Sequence, residues 1–462
     1  MNEKNQEVVR DARQLGIPKM LILGIQHMFA MFGATILVPI LVAGYFQNAC
    51  GEPITRGLTV SVTLFCAGIG TLIFHVCSKF KVPAFLGSSF AFLGGYATVA
   101  PMAKDGSANL EMLPYACLGV VFAGLLYLVL ALCIKLIGVS KVMKLFPPVV
   151  TGPIIIAIGL CLAPSALNNC VTCWPLAIIA LAIVIFFNIW GKGMTKIIPI
   201  LLGVVGAYLI ALIFGNGFGV SWITPIDTDS IAKAAWIGFP IDWSQTIFGG
   251  VDYADTAKIT TALTTMIPIA IATMMEHIGD ICAIGATVGK DYIDDPGLHR
   301  TLIGDGLATS LSSLFGGPAN TTYGENTGVL ALSKVYDPRV VRIAAYIAIV
   351  FSFCPKFAAV INAMPMGIVG GISFILYGMI AAIGVRNVVE AGVDFQKSRN
   401  VIVSAIIFVC ALGINFSDAG AATFTVDGVT ISLSGLAVAA LVGIILNAIF
   451  PEKDEVKSID LK

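Results

Sequence analysis

Long apolar runs constrain this chain more than any other feature of its sequence. Three of them are LGVVFAGLLYLVLALCI (118–134), LAIIALAIVIFFNIW (176–190) and VIVSAIIFVCALGINF (401–416). With modest extensions, each can cross a hydrocarbon core about 30 Å thick as a helix. Only 12% of the 462 residues are charged, against about 25% in soluble domains. Because so few charges cannot cover a water-facing surface, we predict an all-α polytopic membrane protein.

The apolar runs and their turn signals give fourteen candidate spans. They lie approximately at 20–44, 57–78, 84–102, 113–137, 147–165, 174–190, 196–214, 258–278, 299–315, 321–336, 340–361, 366–385, 399–416 and 431–450. The third, ninth and tenth are weak by hydropathy alone, so the placement of basic residues tests the count.

Basic residues separate well between the two sides of the predicted topology. Cytoplasmic loops carry the excess of Lys and Arg in membrane proteins. With the N-terminus inside, 22 of the 27 basic residues fall on the inner side, and the outer side keeps only Arg56, Lys104, Lys233, Lys258 and Lys356. Both termini are therefore predicted to be cytoplasmic, and the polar first nineteen residues do not resemble a cleaved signal peptide.

A long polar interval at about 215–257 divides the spans into seven and seven. It is rich in Asp and is predicted to lie outside. Since seven is odd, the second set of spans starts from the opposite face, which is the arrangement of inverted-topology repeats.

Two spans at matching places in the halves begin with polar, glycine-containing stretches. The third span opens VPAFLGSSFAFLGG (82–95), and the tenth opens NTTYGENTGVLALS (320–333). Each pattern indicates a short extended segment followed by a half-length helix, and such breaks form the binding sites of inverted-repeat transporters. The alternative is an ordinary loop between spans. Against it stands Glu325, which a loop at this depth could not solvate.

Ionisable residues interrupt apolar sequence at three places. Glu276, His277 and Asp280 fall within TMMEHIGDICAIG, which follows IPIAIA, and Glu325 lies in the broken tenth span. Charged groups at membrane depth are costly and usually face a cavity. The i, i+4 spacing of the two acidic residues of the first cluster predicts a shared helix face near the cytoplasmic end of span eight. We assign His277 a structural role, although the cluster is also consistent with a solvated helix end. For His27 in the first span, a relay and a structural role are both open, with a hydrogen bond to Glu325 or Glu276 as one option.

The sequence predicts no cofactor, metal site or enzymatic activity. Cys170 and Cys173 form a CxxC pattern, but no second Cys or His pair accompanies them, so a local disulfide or free thiols are expected. The formal net charge is zero, so composition gives no indication of nucleic-acid binding.

Several motifs resemble those of the nucleobase–ascorbate (nucleobase:cation symporter-2) transporters. The matching segments are QHMFAMFGATILVPIL (26–41), PAFLGSSFAF (83–92), LFPPVVTG (145–152), EHIGD (276–280), DPGLHR (295–300), NTTYGENTGVLALSKVYDPRVV (320–341) and GGISFILYG (370–378). The resemblance covers about residues 15–450.

The resemblance implies fourteen spans in two inverted sets of seven, with short antiparallel strands in broken spans three and ten. It also implies a core domain (1–145 and 258–363, spans 1–4 and 8–11) and a gate domain (146–257 and 364–462, spans 5–7 and 12–14). The gate domain would support a homodimer and alternating access in the cytoplasmic membrane.

The resemblance also implies a nucleobase site. By family position Glu276 and Glu325 bind the base, Phe90 packs on its ring, the backbone at Ser89 and Gly324 contacts its polar edge, and Tyr323 and Tyr377 lie close by. Purine-transporting members typically carry Gln at the position of Glu325, which favours uracil here over xanthine or urate.

The expected activity is uracil:proton symport. The coupling candidates are Asp280, His27, Glu276 and Glu325. Some members have His in place of Asp280, so the role of that residue stays open. A purine symporter on the same fold and a passive nucleobase facilitator are the alternatives.

Overall fold

The computed structural model describes residues 8–46, 58–99, 110–418, 420–426 and 429–451. Within these ranges, seven helices are long and apolar enough to cross a membrane, and an eighth candidate is the pair Pro338–Ser352 and Pro355–Asn362, which is bent by 89°. Three shorter apolar helices accompany them. The prediction of a helical polytopic membrane protein is confirmed.

The first half of the chain contains eleven helices among its described residues. Their bounds are α1 Gly16–Phe46, α2 Val60–Cys77, α3 Leu93–Val99, α4 Leu113–Ile137, α5 Val139–Met143, α6 Pro148–Thr172, α7 Trp174–Trp190, α8 Met194–Ile197, α9 Pro199–Ile210, α10 Thr228–Lys233 and α11 Ile247–Gly250. One strand, β1 Leu86–Ser88, precedes α3. A π-helical turn, Ala211–Gly217, continues α9.

The described part of the second half adds nine helices. Their bounds are α12 Thr256–Met266, α13 Ile269–Val288, α14 Leu298–Leu314, α15 Gly324–Ser333, α16 Pro338–Ser352, α17 Pro355–Asn362, α18 Met366–Glu390, α19 Ser398–Phe408 and α20 Gly435–Ile449. Three strands belong to this half, namely β2 Asn320–Thr322, β3 Ala421–Val426 and β4 Val429–Ser434.

Local sequence explains where several helices begin and end. The Thr59 side chain accepts a hydrogen bond from the Val62 amide at the start of α2, which satisfies one of the free N–H groups there. Asp337 caps α16 in the same way, with Pro338 in the first turn. Helix α13 ends at Gly289, whose φ of 70° is accessible to glycine at little cost.

Strands β1 and β2 pair antiparallel in the interior, far apart in sequence. Leu86 lies opposite Thr322, and Ser88 lies opposite Asn320. Both strands are buried along their whole length. Gly87 is required at the centre, because a Cβ there would clash with the ring of Tyr323.

Side chains from the surrounding helices satisfy the outer edges of this strand pair. Thr71 of α2 accepts from the Leu86 amide at 2.9 Å and donates to the Leu86 carbonyl at 3.2 Å. On the other side, the Thr309 hydroxyl of α14 donates to the Asn320 carbonyl at 2.8 Å. Such partners are needed because lipid offers none to an exposed backbone.

The helices pack in two groups. The first helix group comprises α1–α4 and α12–α16, in which α14 packs along both α2 and α4. The second helix group comprises α6, α7, α9 and α18–α20, in which α18 packs closely along α6. Small residues allow the closest crossings: Gly124 and Gly306 face each other between α4 and α14, as do Gly152 and Gly384 between α6 and α18.

Two predicted spans need correction. Span eight was expected to end at 278, but after a break at Pro268 the helix α13 continues to Val288, because His277 and Asp280 in its middle are buried inside the protein and do not end the helix at a solvated surface. Span fourteen was expected to begin at 431, but β4 occupies Val429–Ser434 and α20 begins at Gly435.

Several expectations fall on residues outside the described ranges. Both chain ends lie outside the described residues, as do the end of predicted span three and the basic residues Lys4, Arg56, Lys104, Lys453, Lys457 and Lys462.

The cysteines of the described segments are all free, including buried Cys170 and Cys173. Of the two expectations for the CxxC pattern, free thiols are therefore the one observed.

Candidate functional site

A cavity lies where the two helix groups meet. The first helix group contributes acidic, hydroxyl and aromatic residues, and the second contributes three isoleucines. The lining residues are Phe90, Ile155, Glu276, Asp280, Thr321, Thr322, Tyr323, Gly324, Glu325, Ile380 and Ile383. The cavity is therefore polar on one wall and apolar on the other.

Glu276 and Asp280 lie on one face of α13, about midway along that helix. Asp280 is buried, and its Oδ2 atom accepts a hydrogen bond from the Thr322 hydroxyl at 2.9 Å. Glu276 Oε2 is shielded from solvent and has no hydrogen-bond partner among the described residues. A buried acceptor without a partner is unusual in a folded protein. Neither residue lies at a solvated helix end, which corrects the expected position near the cytoplasmic end of the span.

Gly324 and Glu325 open helix α15, immediately after β2. The first amides of a helix have no intrahelical acceptor and carry partial positive charge. A Cβ placed on Gly324 would lie 3.8 Å from Asp280 Oδ1, so the backbone at this point faces that carboxyl group. The cavity thus combines helix-end donors with carboxylate acceptors.

Phe90 supplies the aromatic surface of the cavity. Its ring packs edge-to-face against Tyr377 of α18, with centroids 5.7 Å apart and planes at 76°. Tyr377 does not line the cavity itself. Ser89 does not line the cavity either. Its amide donates to the Ala319 carbonyl at 2.8 Å.

Tyr323 lines the cavity, and its hydroxyl contacts β1 and α1. The hydroxyl donates to the Ser88 carbonyl at 2.8 Å and lies 3.4 Å from the Thr35 hydroxyl. This side chain therefore ties β1 to the start of α15 and to α1.

His27 contacts neither Glu325 nor Glu276, which corrects that expectation. Its Nδ1 atom lies 3.1 Å from Asn326 Nδ2, and the same amide donates to the His27 carbonyl at 3.0 Å. Both side chains are buried. Sequence reasoning missed Asn326, although its position next to Glu325 in the broken span was an available signal.

His277 points away from the cavity and contacts a residue that sequence reasoning missed. Its Nδ1 atom lies 2.9 Å from Asp305 Oδ2, and both side chains are fully buried. Asp305 belongs to α14 and is an ionisable residue within a predicted span, which is the signal that identifies such groups. The contact joins α13 to α14 behind the cavity.

The hydrogen-bonding groups and the aromatic ring of the cavity suit a small, flat, polar molecule. Carboxylates accept hydrogen bonds from N–H groups, helix-end amides donate to carbonyl oxygens, and an aromatic ring packs on a planar ligand. No group of three or more His, Cys, Asp or Glu residues that could hold a metal ion occurs in the described segments.

Membrane-length helices surrounding a carboxylate-lined cavity define this protein as a polytopic membrane protein with a polar site in its interior. The family model Xan_ur_permease, described as a permease family, matches residues 18–420. The chain therefore belongs to this family, the nucleobase:cation symporter-2 permeases. Membership confirms the predicted family and the prediction of a permease rather than an enzyme.

Three curated relatives illustrate the similarity. A uracil permease of Bacillus caldolyticus is 39% identical over 443 residues, which cover 94% of this chain and 92% of the relative. The uracil permease of Bacillus subtilis is 38% identical, with 93% and 92% covered. The uracil permease of Escherichia coli is 34% identical, with 93% and 90% covered.

Solved structures share the fold at low sequence identity. The transmembrane domain of the cyanobacterial bicarbonate transporter BicA superposes with a TM-score of 0.58 at 16% identity, covering 96% of this chain and all of that domain. The structure of SLC26A9 gives a TM-score of 0.61 at 12% identity, covering 95% of this chain and 66% of the other.

Proposed function

We propose that this protein is a uracil:proton symporter of the cytoplasmic membrane. The observation that carries the proposal is the meeting of Glu276 and Glu325 in one cavity, at the end of a broken span. The uracil permeases that are 34–39% identical over more than nine-tenths of the chain support the choice of substrate.

The chemistry of the cavity matches uracil. The ring N–H groups of the base would donate to Glu276 and Glu325, and its carbonyls would accept from amides at the start of α15 and from the amide of Phe90, which follows Ser89. Phe90 would pack on the ring face, with Tyr377 holding Phe90 from the second helix group. Tyr323 and Gly324 complete the pocket.

Transport would occur by alternating access. We propose fourteen spans in two inverted sets of seven, in which β1–α3 and β2–α15 are the broken third and tenth spans. The first helix group would form the core domain (1–145 and 258–363), and the second would form the gate domain (146–257 and 364–462). Because both groups line the cavity, movement of one against the other would expose it to each side in turn.

Proton coupling would use groups in or beside the cavity. Asp280 contacts Thr322 on the broken span that also carries Glu325, so a change in its charge would act on the binding site. Glu276 and Glu325 are candidates for direct coupling. His27 would act through Asn326, which adjoins Glu325.

Radiolabelled uracil uptake in cells that overproduce the protein tests the proposal. We expect accumulation above the external concentration, and we expect a protonophore to abolish that accumulation. Uptake that is insensitive to the protonophore would refute proton coupling, and equilibration without accumulation would indicate a passive facilitator. Competition by unlabelled uracil but not by xanthine or urate would identify the base.

The assembly is also a proposal. We expect a homodimer with both termini of each chain in the cytoplasm and with contacts through the gate domain. Crosslinking in native membranes measures the oligomeric state, and a monomer under conditions of full uptake would contradict the dimer.

A further inference from the structure

A second cavity, which shares no lining residue with the first, lies on the face that we propose is cytoplasmic. It brings together the N-terminal segment, the turn after α2, the end of α13 and the start of α16. Its lining residues are Arg10, Phe80, Lys81, Lys290, Tyr336, Asp337, Pro338, Arg339 and Arg342. Five of these nine residues are cationic, and one is acidic.

Two of the five cations have carboxylate partners. Arg339 Nη1 lies 2.9 Å from Asp337 Oδ2 and 3.1 Å from an oxygen of Asp11. Lys81 Nζ lies 2.6 Å from an oxygen of Asp295, and this hydrogen bond lowers the pKa of Asp295 below its usual value. Asp295 is therefore ionised at neutral pH and offsets the charge of Lys81.

The other three cations, Arg10, Lys290 and Arg342, have no carboxylate within 4.0 Å among the described residues. Arg10 donates instead to the Val288 carbonyl at 3.1 Å. The walls therefore carry an uncompensated positive charge that converges on one space. The excess of basic residues on cytoplasmic faces explains on which side these residues occur, but it does not explain their convergence.

Arg342 gives the sharpest indication of a missing partner. Its Nη1 atom is shielded from solvent and has no hydrogen-bond partner in the described part of the chain, although a buried donor without a partner costs free energy. The guanidinium carbon lies 5.0 Å from the centroid of the Phe80 ring. This stacking holds the planar group in place while leaving its N–H donors available.

The turn that carries Phe80 and Lys81 has an unusual backbone. Lys79 and Phe80 have φ values of 55° and 56°, in the left-handed region that bulky residues rarely occupy. The Phe80 amide donates to the His75 carbonyl at 2.7 Å, which holds this conformation. Strained backbone of this kind concentrates at functional sites. Here it places the Phe80 ring beside Arg342 and Lys81 at the rim of the cavity.

We propose that this second cavity binds a phosphate group. Phosphate offers several acceptor oxygens and suits bidentate donation from Arg. Basic pockets between membrane helices on the cytoplasmic side bind phospholipid headgroups, and Phe80, 52% exposed at the rim, suits a site next to acyl chains. The group is carried either by an anionic lipid or by a soluble phosphate. Bound there, it would join the N-terminal segment to α2, α13 and α16.

Binding measurements on the purified full-length protein test the site with two probes. Native mass spectrometry measures retention of phosphatidylglycerol, with phosphatidylcholine as the neutral comparison. Isothermal titration calorimetry measures inorganic phosphate. We expect Arg342→Gln and Lys290→Gln each to weaken the binding of one probe about tenfold, as expected for the loss of a charge-assisted contact.

The matched control is Lys141→Gln, which removes the same charge from an exposed lysine of α5 that does not line the cavity. We expect it to bind like the parent chain. A selective loss of phosphatidylglycerol identifies a lipid headgroup, and a selective loss of inorganic phosphate identifies a soluble ligand.

Equal affinity of Lys290→Gln and Lys141→Gln for both probes would overturn the proposal. Lys290 is exposed and has no ion pair among the described residues, so this comparison decides the matter even if Arg342→Gln does not fold. Neither outcome depends on uracil uptake, so the proposed transport function is tested separately.

Discussion

Glu276 combines two properties that rarely occur together, a position in the middle of a membrane-length helix and a shielded oxygen without a partner. A carboxylate in that state is prepared to accept a hydrogen bond from a ligand. We expect Glu276→Gln to weaken uracil binding about 10- to 100-fold, because one charge-assisted hydrogen bond contributes about 1.5–3 kcal/mol. Equilibrium binding of radiolabelled uracil to membranes measures the effect.

The control for this substitution is Glu390→Gln. Glu390 lies at the end of α18, where it is exposed and pairs with Arg386 at 2.7 Å. Its replacement is expected to leave uracil affinity within about twofold, as is usual for an exposed ion pair. Unchanged affinity in Glu276→Gln would remove Glu276 from direct contact with the base.

Asn326, which follows Glu325 in α15, is the hydrogen-bond partner of His27. We expect Asn326→Leu to lower the free energy of unfolding by about 1–3 kcal/mol, because a buried imidazole nitrogen loses its partner. Thermal unfolding of the purified protein in detergent detects this as a lower midpoint. Asn362→Leu, at the exposed end of α17, is the control. A midpoint equal to that of the control would contradict a structural role for the Asn326 contact.

The sequence revealed the charged cavity residues but not the neutral polar residues beside them. Glu276, Asp280 and Glu325 are recognisable because ionisable groups interrupt apolar runs. Thr322 and Asn326 are polar without charge, so they hardly change hydropathy. Their hydrogen-bond partners, Asp280 and His27, lie 42 and 299 positions away in the sequence. Such residues come into contact only in the folded chain.

Helices α6 and α18 approach each other through glycine. A Cβ on Gly384 would lie 2.6 Å from the Ile156 amide nitrogen and 2.8 Å from the Gly152 carbonyl oxygen. Since both neighbours are backbone, they cannot move aside cheaply. We expect Gly384→Ala to destabilise the protein by about 1–3 kcal/mol, measured as a lower midpoint of thermal unfolding.

Gly378 on the same helix is the matched control. A Cβ there would meet nothing within 4 Å, so Gly378→Ala should be neutral or slightly stabilising, as Ala favours helix over Gly. If both variants unfold at the same temperature, close packing at the crossing does not limit stability.

Hydropathy predicted uniform helices well and mixed ones poorly. For α4 and α7 the expected and observed bounds coincide at 113–137 and 174–190, because apolar residues continue to both ends. In α13 the acidic cluster ended the apolar signal ten residues early. The VTISLS segment of β4 alternates apolar and polar residues, a strand pattern that the search for long apolar runs overlooked.

The two sides of the molecule differ in their basic residues, which gives a test of the proposed orientation. Lys233 ends α10 and Lys141 lies in α5, and both are exposed. In intact cells we expect a membrane-impermeant maleimide to label Lys233→Cys above the level of the parent chain. Lys141→Cys should be labelled only after the cells are permeabilised. The reverse pattern would invert the whole topology.

Strand pairing between the two halves has a consequence for synthesis. Ser88 and Tyr323 are separated by 235 positions, so the ribosome completes β1 long before β2 exists. Until β2 is made, the hydroxyl of Thr71, fifteen positions before Leu86, is a hydrogen-bond partner for the Leu86 amide within the nascent chain. A chain that ends before residue 320 therefore carries β1 without the strand that pairs with it in the fold.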